Sequence, residues 1–296
     1  MELSLLAVHA HPDDESSKGA ATYAAYRARG AAVTVVSCTG GERGDVLNST
    51  LVARGWAERD LAGLRRSEMS LARAHLGVDH VWLGYFDSGL PDEGEPLPPL
   101  SFATVPVDTA ARPLVRIIRE RRPQVMVTYD ENGGYPHPDH IQTHRVAMRA
   151  AELAADPSFE PGPEALGEPH RIDKIYYDKS FSVERVQAIL DASEAHPELV
   201  APERLERLRG FIERLNQPGR VSHTVTTRVE CADYFEQRDA ALRSHASQVS
   251  PDDEFFFWPN ELLRTAWPTE DYVLVHSTVE STLPENDLFA GIGEAA

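Results

Sequence analysis

Hydrophobic positions come in blocks along this chain, and through its first half the blocks switch between a strand-like and a helix-like period. Leu3 to Val8 is a short apolar run of the kind that forms a buried strand. Ser16 or Ser17 stands where a helix cap belongs, and the residues after it predict a helix to about Arg29, stopped by Gly30. Ala32 to Ser37 carries a β-branched run, Val33 to Val36, and predicts a second strand. Leu61, Leu64, Leu71 and Leu76 place a helix over Trp56 to Leu76, and Val78 to Leu83 is strand-like. Thr109 to Arg121 predicts a helix, Gln124 to Tyr129 a buried strand and His140 to Ala154 a further helix. Strands separated by helices of this length imply a parallel sheet with right-handed crossovers, and such sheets bind ligands beyond the carboxyl ends of their strands.

The second half is less regular. Asp156 to Glu168 is rich in Pro, Gly and Glu and reads as a surface loop. Beyond it, Lys174 to Ser180 predicts a strand, Pro202 to Leu215 a charged helix, Thr224 to Val229 a strand and Ala232 to Ala246 a helix. The last ten or so residues read as a frayed tail. The fold class expected is therefore α/β: a Rossmann-like, mostly parallel sheet flanked by helices. Residues 1–155 form its core, and residues 156–296 form a C-terminal α/β extension that packs on the core, completes the pocket and makes one structural unit with it.

Composition narrows the function. The net charge of -18 across 296 residues argues against nucleic acid and anionic membranes as partners, because both need a basic surface. No apolar run approaches the ~20 residues of a membrane span. The N-terminus lacks a basic region and a cleavage site, so it reads as a strand rather than a signal peptide. Cys38 and Cys231 are too few and too far apart for a disulfide framework, and a reduced cytoplasmic protein is expected. Oligomeric state is not legible.

Two clusters of chemistry each follow a predicted strand. The first is His9-Ala10-His11-Pro12-Asp13-Asp14-Glu15. In a turn leading into a helix, His11 and Asp14 can converge on one ion, and zinc accepts both donor types. Asp13 between them points elsewhere and is free to handle a proton. A capped turn is the competing explanation, with Asp13 or Asp14 as the cap. His9 alternates inward on the strand and is expected to be buried beside the site. The second cluster runs from Tyr129 to His140 and holds Gly133, Gly134, Tyr135, Pro136, His137, Pro138 and Asp139. A catalytic zinc takes three protein ligands and leaves a position open. Spacing alone leaves the third ligand open among His137, His140 and His144.

These two motifs resemble the paired motifs of the LmbE-like, PIG-L-type N-acetylglucosaminyl deacetylases. The resemblance extends through Thr39 to Gly44, Arg65 to Glu68, Asp87-Ser88-Gly89 and Arg243 to Gln248, and so covers nearly the whole chain. It implies that His11, Asp14 and His140 bind Zn2+, in a site that can also take Fe2+ or Co2+. It implies Asp13 as general base, His137 as electrostatic stabiliser or acid in protonated form, Asp139 as its orienting partner and Tyr135 as an oxyanion donor. Arg65 and Asp87 become sugar or inositol contacts.

Within the family the chain most resembles the actinobacterial enzymes of mycothiol metabolism. One branch removes acetyl from GlcNAc-inositol. The other cleaves the cysteinyl-glucosamine amide of mycothiol S-conjugates, and Glu15 to Thr22, with Lys18, looks like that amidase branch, as do Asp87 to Pro91 and Trp267 to Tyr272. The expected partner is accordingly a small-molecule thiol-sugar conjugate, with Lys18 and Glu42 on the substrate side. The alternatives are the GlcNAc-inositol deacetylase and an amidase for a mycothiol-conjugated natural product. A nucleotide-binding protein on the same sheet is disfavoured, because no G-x-G-x-x-G follows Val8.

Overall fold

The computed structural model describes residues 2–92, 94–160, 162, 167–217 and 223–293. The first strand, β1 (Ser4–His9), is buried at every position. One helical turn, α1 (Asp14–Ser17), and a helix, α2 (Ala20–Ala28), lead to β2 (Ala32–Thr39). The short α3 (Arg54–Ala57) and long α4 (Leu61–Leu76) precede β3 (Asp79–Tyr85), and α5 (Val107–Arg121) precedes β4 (Val125–Thr128). Then come α6 (Pro138–Ala155), β5 (Lys174–Asp178), α7 (Val183–Ala195), α8 (Pro202–Leu215) and β6 (Thr227–Glu230). The chain ends with α9 (Phe235–Ser244), α10 (Asn260–Ala266) and β7 (Thr269–Ser277).

All seven strands lie in one sheet of order β3-β2-β1-β4-β5-β7-β6. The first five pair in parallel, as the alternation of strands and helices predicts. β7 runs antiparallel between β5 and β6. The strand pleat sorts the core into two layers. Leu5, Ala7, Val33 and Val35 meet Tyr23, Met69, Ala72 and Ala241 of α2, α4 and α9. Leu6, Val8 and Val36 meet Leu114, Ile118, Val146 and Ala150 of α5 and α6. Each fully buried side chain of this size contributes about 1.5–3 kcal/mol, so both layers hold the sheet firmly. A further apolar cluster joins Ile189 of α7 and Leu262 and Leu263 of α10 to Ala21 and Ala25 of α2.

Several expectations need correction. The helix expected to run from Ser16 or Ser17 to Arg29 is two helices, and neither serine caps the second. Gly19, at φ 85°, separates them, and a Cβ there would lie 2.6 Å from the Tyr23 ring. The helix expected over Trp56 to Leu76 also breaks in two, because the Asp60 carboxylate accepts from Gly63 N at 2.8 Å and caps α4. The tail is not frayed as far as Gly293: Leu288 and Phe289 are buried in the core, and Leu288 N donates to Tyr26 Oη at 2.8 Å. Residues 294–296 lie outside the described residues, as do 161 and 163–166 of the expected Pro-rich loop. The boundary at 155/156 falls at the end of α6, yet the sheet crosses it, since β5 pairs with β4. α7, α10 and β7 had no counterpart in the sequence reading.

Candidate metal centre and active site

The strand order reverses between β1 and β4, and crevices form at such points beyond the strand ends. The first motif leaves β1 and the second leaves β4, so the two clusters meet although they lie some 120 residues apart in the chain, as the bond from Ala10 N to Tyr129 Oη shows. Two overlapping groups there could hold a metal ion: His11, Asp14 and His140, and His11, His137 and Asp139.

His140 is fully buried and rigidly held. Its Nδ1 lies 2.9 Å from the Gly133 carbonyl, and its ring stacks on Tyr129 at 4.5 Å. A carbonyl only accepts, so Nδ1 carries the proton and Nε2 presents a lone pair. That Nε2 makes no hydrogen bond, although it is buried. It faces Asp14 Oδ2 at 3.3 Å. Gly133 makes this possible: at φ 73°, with its Cβ position 2.5 Å from His140 Cβ, no larger residue fits.

Carboxylates converge on His11. Its Nε2 lies 3.3 Å from Asp139 Oδ2 and 3.6 Å from Asp87 Oδ1, and its Nδ1 lies 3.6 Å from Asp14 Oδ2. Burial opposes a charge on this imidazole, but bonds to Asp139, Asp14 and Asp87 raise its pKa well above the ordinary value. Burial likewise opposes ionisation of Asp14, and His140, Lys18 and His11 outweigh it, holding the carboxyl well below its usual range. His11, Asp14 and His140 bring two imidazoles and a carboxylate together, donor types a divalent metal takes.

Asp13 belongs to neither candidate metal group. Its backbone has φ 108°, a conformation that costs a non-glycine residue about 1–3 kcal/mol and needs external support. Support comes from four bonds. Asp13 O accepts from Ser16 N at 3.0 Å and Ser17 N at 2.9 Å, Asp13 N donates to Glu15 Oε2 at 2.9 Å, and Arg65 Nη2 reaches Asp13 Oδ2 at 3.0 Å. Burial raises the carboxyl pKa, against the opposing pull of Arg65.

Residues 6–151 match the family described as GlcNAc-PI de-N-acetylase, PIG-L. A mycothiol S-conjugate amidase from Streptomyces coelicolor is 50% identical over 100% of this chain and 99% of its own. The chain belongs to the PIG-L family. A 1D-myo-inositol 2-acetamido-2-deoxy-alpha-D-glucopyranoside deacetylase from Streptomyces scabiei is 43% identical, covering 97% of this chain and 89% of its own. The structure of an N,N'-diacetylchitobiose deacetylase from Pyrococcus horikoshii superposes with TM-score 0.59 at 20% identity, over 92% of this chain and 83% of that one, and shares the fold. Members of this family act as hydrolases of amide bonds, and the fold expected from sequence is the fold found.

The remaining predicted residues sort by what they touch. His137 caps α6, its Nδ1 accepting from Asp139 N at 3.1 Å. Burial and the nearby His11 and His140 lower its pKa to about 4, so at neutral pH it is uncharged, contrary to the protonated form expected. Its proton then sits on Nε2. The Asp139 side chain does not orient His137 either: Oδ2 binds His11 and accepts from Ser88 N at 2.9 Å. Tyr135 stands at the rim, half exposed, with its ring 4.5 Å from His140. Arg65 is only 3% exposed, and its guanidinium holds Gly41 O at 3.1 Å and Pro12 O at 2.6 Å besides Asp13. Asp87 is 2% exposed, bound to His11 and to the backbone of Arg43 and Gly89. Glu42 accepts from Asp87 N at 3.1 Å, and Lys18 Nζ lies 2.6 Å from Asp14 Oδ1. All four were expected to meet substrate. Their charged groups bond to other residues of the site, because the strand-end loops fold over one another there.

His144 packs away from the centre, with Nδ1 3.1 Å from Tyr129 O, and His9 is buried with Nε2 3.1 Å from Tyr23 Oη. Sequence reasoning gave no role to Glu15 and left His245 undecided. The two form a buried pair, Nε2 to Oε1 at 2.7 Å, and the other Glu15 oxygen holds Asp13 N. Burial would raise the Glu15 carboxyl, but His245 and Ser16 bring it down to about 2. Asp178 was also missed; burial pushes its carboxyl up to about 7, against the pull of Lys18. Glu15 ends the first motif, but its pairing with His245, 230 residues away, and the position of Asp178 depend on tertiary contacts.

Proposed function

We propose that this chain is a zinc-dependent amidase that hydrolyses the cysteinyl-glucosamine amide of mycothiol S-conjugates, releasing a mercapturic acid and GlcN-inositol. The observation that carries this reading is the 50% identity, over the full length of both chains, to the Streptomyces coelicolor relative described as a mycothiol S-conjugate amidase. We assign the metal to His11, Asp14 and His140, because His140 Nε2 is buried without a hydrogen bond and faces Asp14 within a group whose ligand atoms can meet on one ion. Zinc bound there supplies Lewis-acid polarisation of the amide carbonyl and a bound-water pKa lowered toward ~7.

The protein's own groups do the rest. Asp13 takes a proton from the attacking water, and its raised pKa brings a carboxylate base closer to the working pH. Arg65 and the Glu15–His245 pair hold Asp13 in its strained conformation, and so act as positioning residues. The neutral His137, with its proton on Nε2, and the Tyr135 hydroxyl donate to the oxygen that gains charge as water adds to the carbonyl carbon. When the C–N bond breaks, Asp13 returns its proton to the sugar nitrogen, which leaves as the amine. Lys18 fixes the Asp14 carboxylate rather than touching substrate. Two buried free cysteines fit a reducing cytoplasm.

The test is a side-by-side assay of the zinc-loaded enzyme with a bimane conjugate of mycothiol and with GlcNAc-inositol. Faster turnover of the conjugate is the expected result. Faster release of acetate from GlcNAc-inositol makes the enzyme a deacetylase instead.

A further inference from the structure

Away from the metal residues, α7, α8 and the segment 254–258 enclose a cavity of about 500 Å³. Phe181, Phe211, Phe255, Phe256 and Trp258 form much of its wall. The rings of Phe181, Phe211 and Phe255 lie 5.3–6.1 Å from one another, and Phe181 and Phe255 are 40% and 53% exposed. Three arginines of the wall are bound to the protein itself, and its Glu203 and Glu206 are exposed to solvent. Arg204 stacks 3.6 Å over Trp258 and donates to Phe257 O, Arg207 pairs with Glu254, and Arg185 donates to Ser180 O at 3.0 Å. What the cavity offers a ligand is therefore aromatic surface. An apolar group that enters it gains about 25 cal/mol for each Å² withdrawn from water.

The cavity adjoins the reaction centre along the chain at α1. Ser16 and Ser17 line it, and the same helical turn begins at Asp14, directly after Asp13. A ligand whose scissile amide sits at Asp13 and Asp14 therefore has the cavity within one helical turn. The sugar and inositol of the substrate are polar and have no use for such a wall. The group carried on sulfur is the part of a thiol conjugate that is apolar and variable.

We propose that this cavity receives the apolar, typically aromatic substituent on the substrate's sulfur, and so sets which conjugates are cleaved. The proposal rests on the amidase reading above. Trp258 and the phenylalanines supply flat surface without a directional partner, which accommodates substituents of different shape and selects chiefly by bulk and apolarity.

Gly210 of α8 lines the cavity, and a Cβ there meets nothing closer than Arg214 Nη1 at 3.9 Å. Gly210→Leu therefore adds bulk to the wall at a position with room for it, and it favours the helix. The experiment measures kcat/KM of wild type and Gly210→Leu on the S-bimanyl and the S-methyl conjugates of mycothiol. The expected result is a loss of about tenfold or more on the bimanyl conjugate and under about threefold on the methyl conjugate. Equal losses on both, or no loss on either, overturn the proposal. Should Gly210→Leu not fold, Phe211→Ala on the same two substrates replaces it with the same expectation.

Failure of the amidase reading is distinguished by wild type itself, which then cleaves neither conjugate. The cavity is in that case judged by binding of the S-bimanyl mercapturic acid, read as quenching of tryptophan fluorescence. Quenching that Trp258→Phe abolishes supports it, and absence of quenching overturns it.

Discussion

Two buried ionic clusters in this molecule differ in one respect. At the far side of the sheet, Lys174 and Glu285 are both buried, and nearly every polar atom is used. Lys174 Nζ reaches Glu285 Oε1 at 2.5 Å, Ala290 O at 3.0 Å and Ser281 Oγ at 3.5 Å. Glu285 Oε2 accepts from Tyr176 Oη at 2.7 Å and Thr227 Oγ1 at 3.0 Å. At the end of β1, His11, Asp14, Asp139 and His140 are as deeply buried, yet His140 Nε2 and Asp139 Oδ1 have no partner. A closed network fastens β5, β6 and the C-terminal segment together. An open one is costly to bury unless something else completes it. Burial and charge are common to both clusters; what separates them is that the orphaned His140 Nε2 belongs to a group whose ligand atoms lie close enough together to hold a metal ion.

The comparison breaks most sharply at His140. His140→Ala should remove bound metal and lower kcat/KM by ~10³-fold or more, because several kcal/mol of Lewis-acid assistance go with it. Metal analysis alongside the assay checks this, and a variant that keeps stoichiometric metal removes His140 from the ligand set. Asp13→Ala comes next. It should keep the metal and lose ~10²-fold or more in kcat, and full activity would sink its assignment as the base. Glu285→Ala should do the reverse of both. It leaves Lys174 buried without its counter-ion, which costs about 3–5 kcal/mol and lowers Tm by about 10 °C, while metal content and kcat/KM of the folded enzyme stay as they were. A comparable loss of activity would mean that the two clusters are coupled.

The smallest effect is one of pH. His80 is held near Ser37, Nε2 to Oγ at 3.0 Å, and burial lowers its pKa to about 4 from an unfolded value of 6.5. The folded state therefore favours neutral His80. Its contribution to stability is whole above pH 6.5 and is lost as pH falls toward 4, where protons bind the unfolded chain first. Tm measured from pH 7.5 to pH 4.5 should fall less steeply in His80→Gln than in wild type. Parallel curves would show that other groups carry the acid sensitivity.

Much of the parallel half of the sheet was legible because β1, β2 and β4 are buried almost throughout and the long helices repeat apolar residues every three or four positions. β7 was not, since its burial depends on its pairing with β5 and β6, which lie far away in the chain. The break between α1 and α2 was missed because it depends on where Tyr23 lies against Gly19. At the site, His11, Asp14, Asp13 and the second motif were visible as dense clusters at strand ends. Arg65, Asp87, Glu42 and Lys18 were visible as residues, but not the bonds they make within the site, because a charged side chain reads the same whether it meets substrate or holds a neighbouring carboxylate.

The sequence by itself determined the α/β class, the two motifs and the donor types gathered in them, since periodicity and local chemistry are properties of neighbouring residues. Only the tertiary structure decided which atoms are left open. The crossing of β1 and β4 at the reversal of strand order brings His140 Nε2 to Asp14, closes Asp139 onto His11 and Ser88, and turns Lys18 inward to Asp14. Apart from the Lys18–Asp14 pair one helical turn apart, these contacts of about 3 Å join groups that the chain separates by 51 to 128 residues, and no local pattern encodes them.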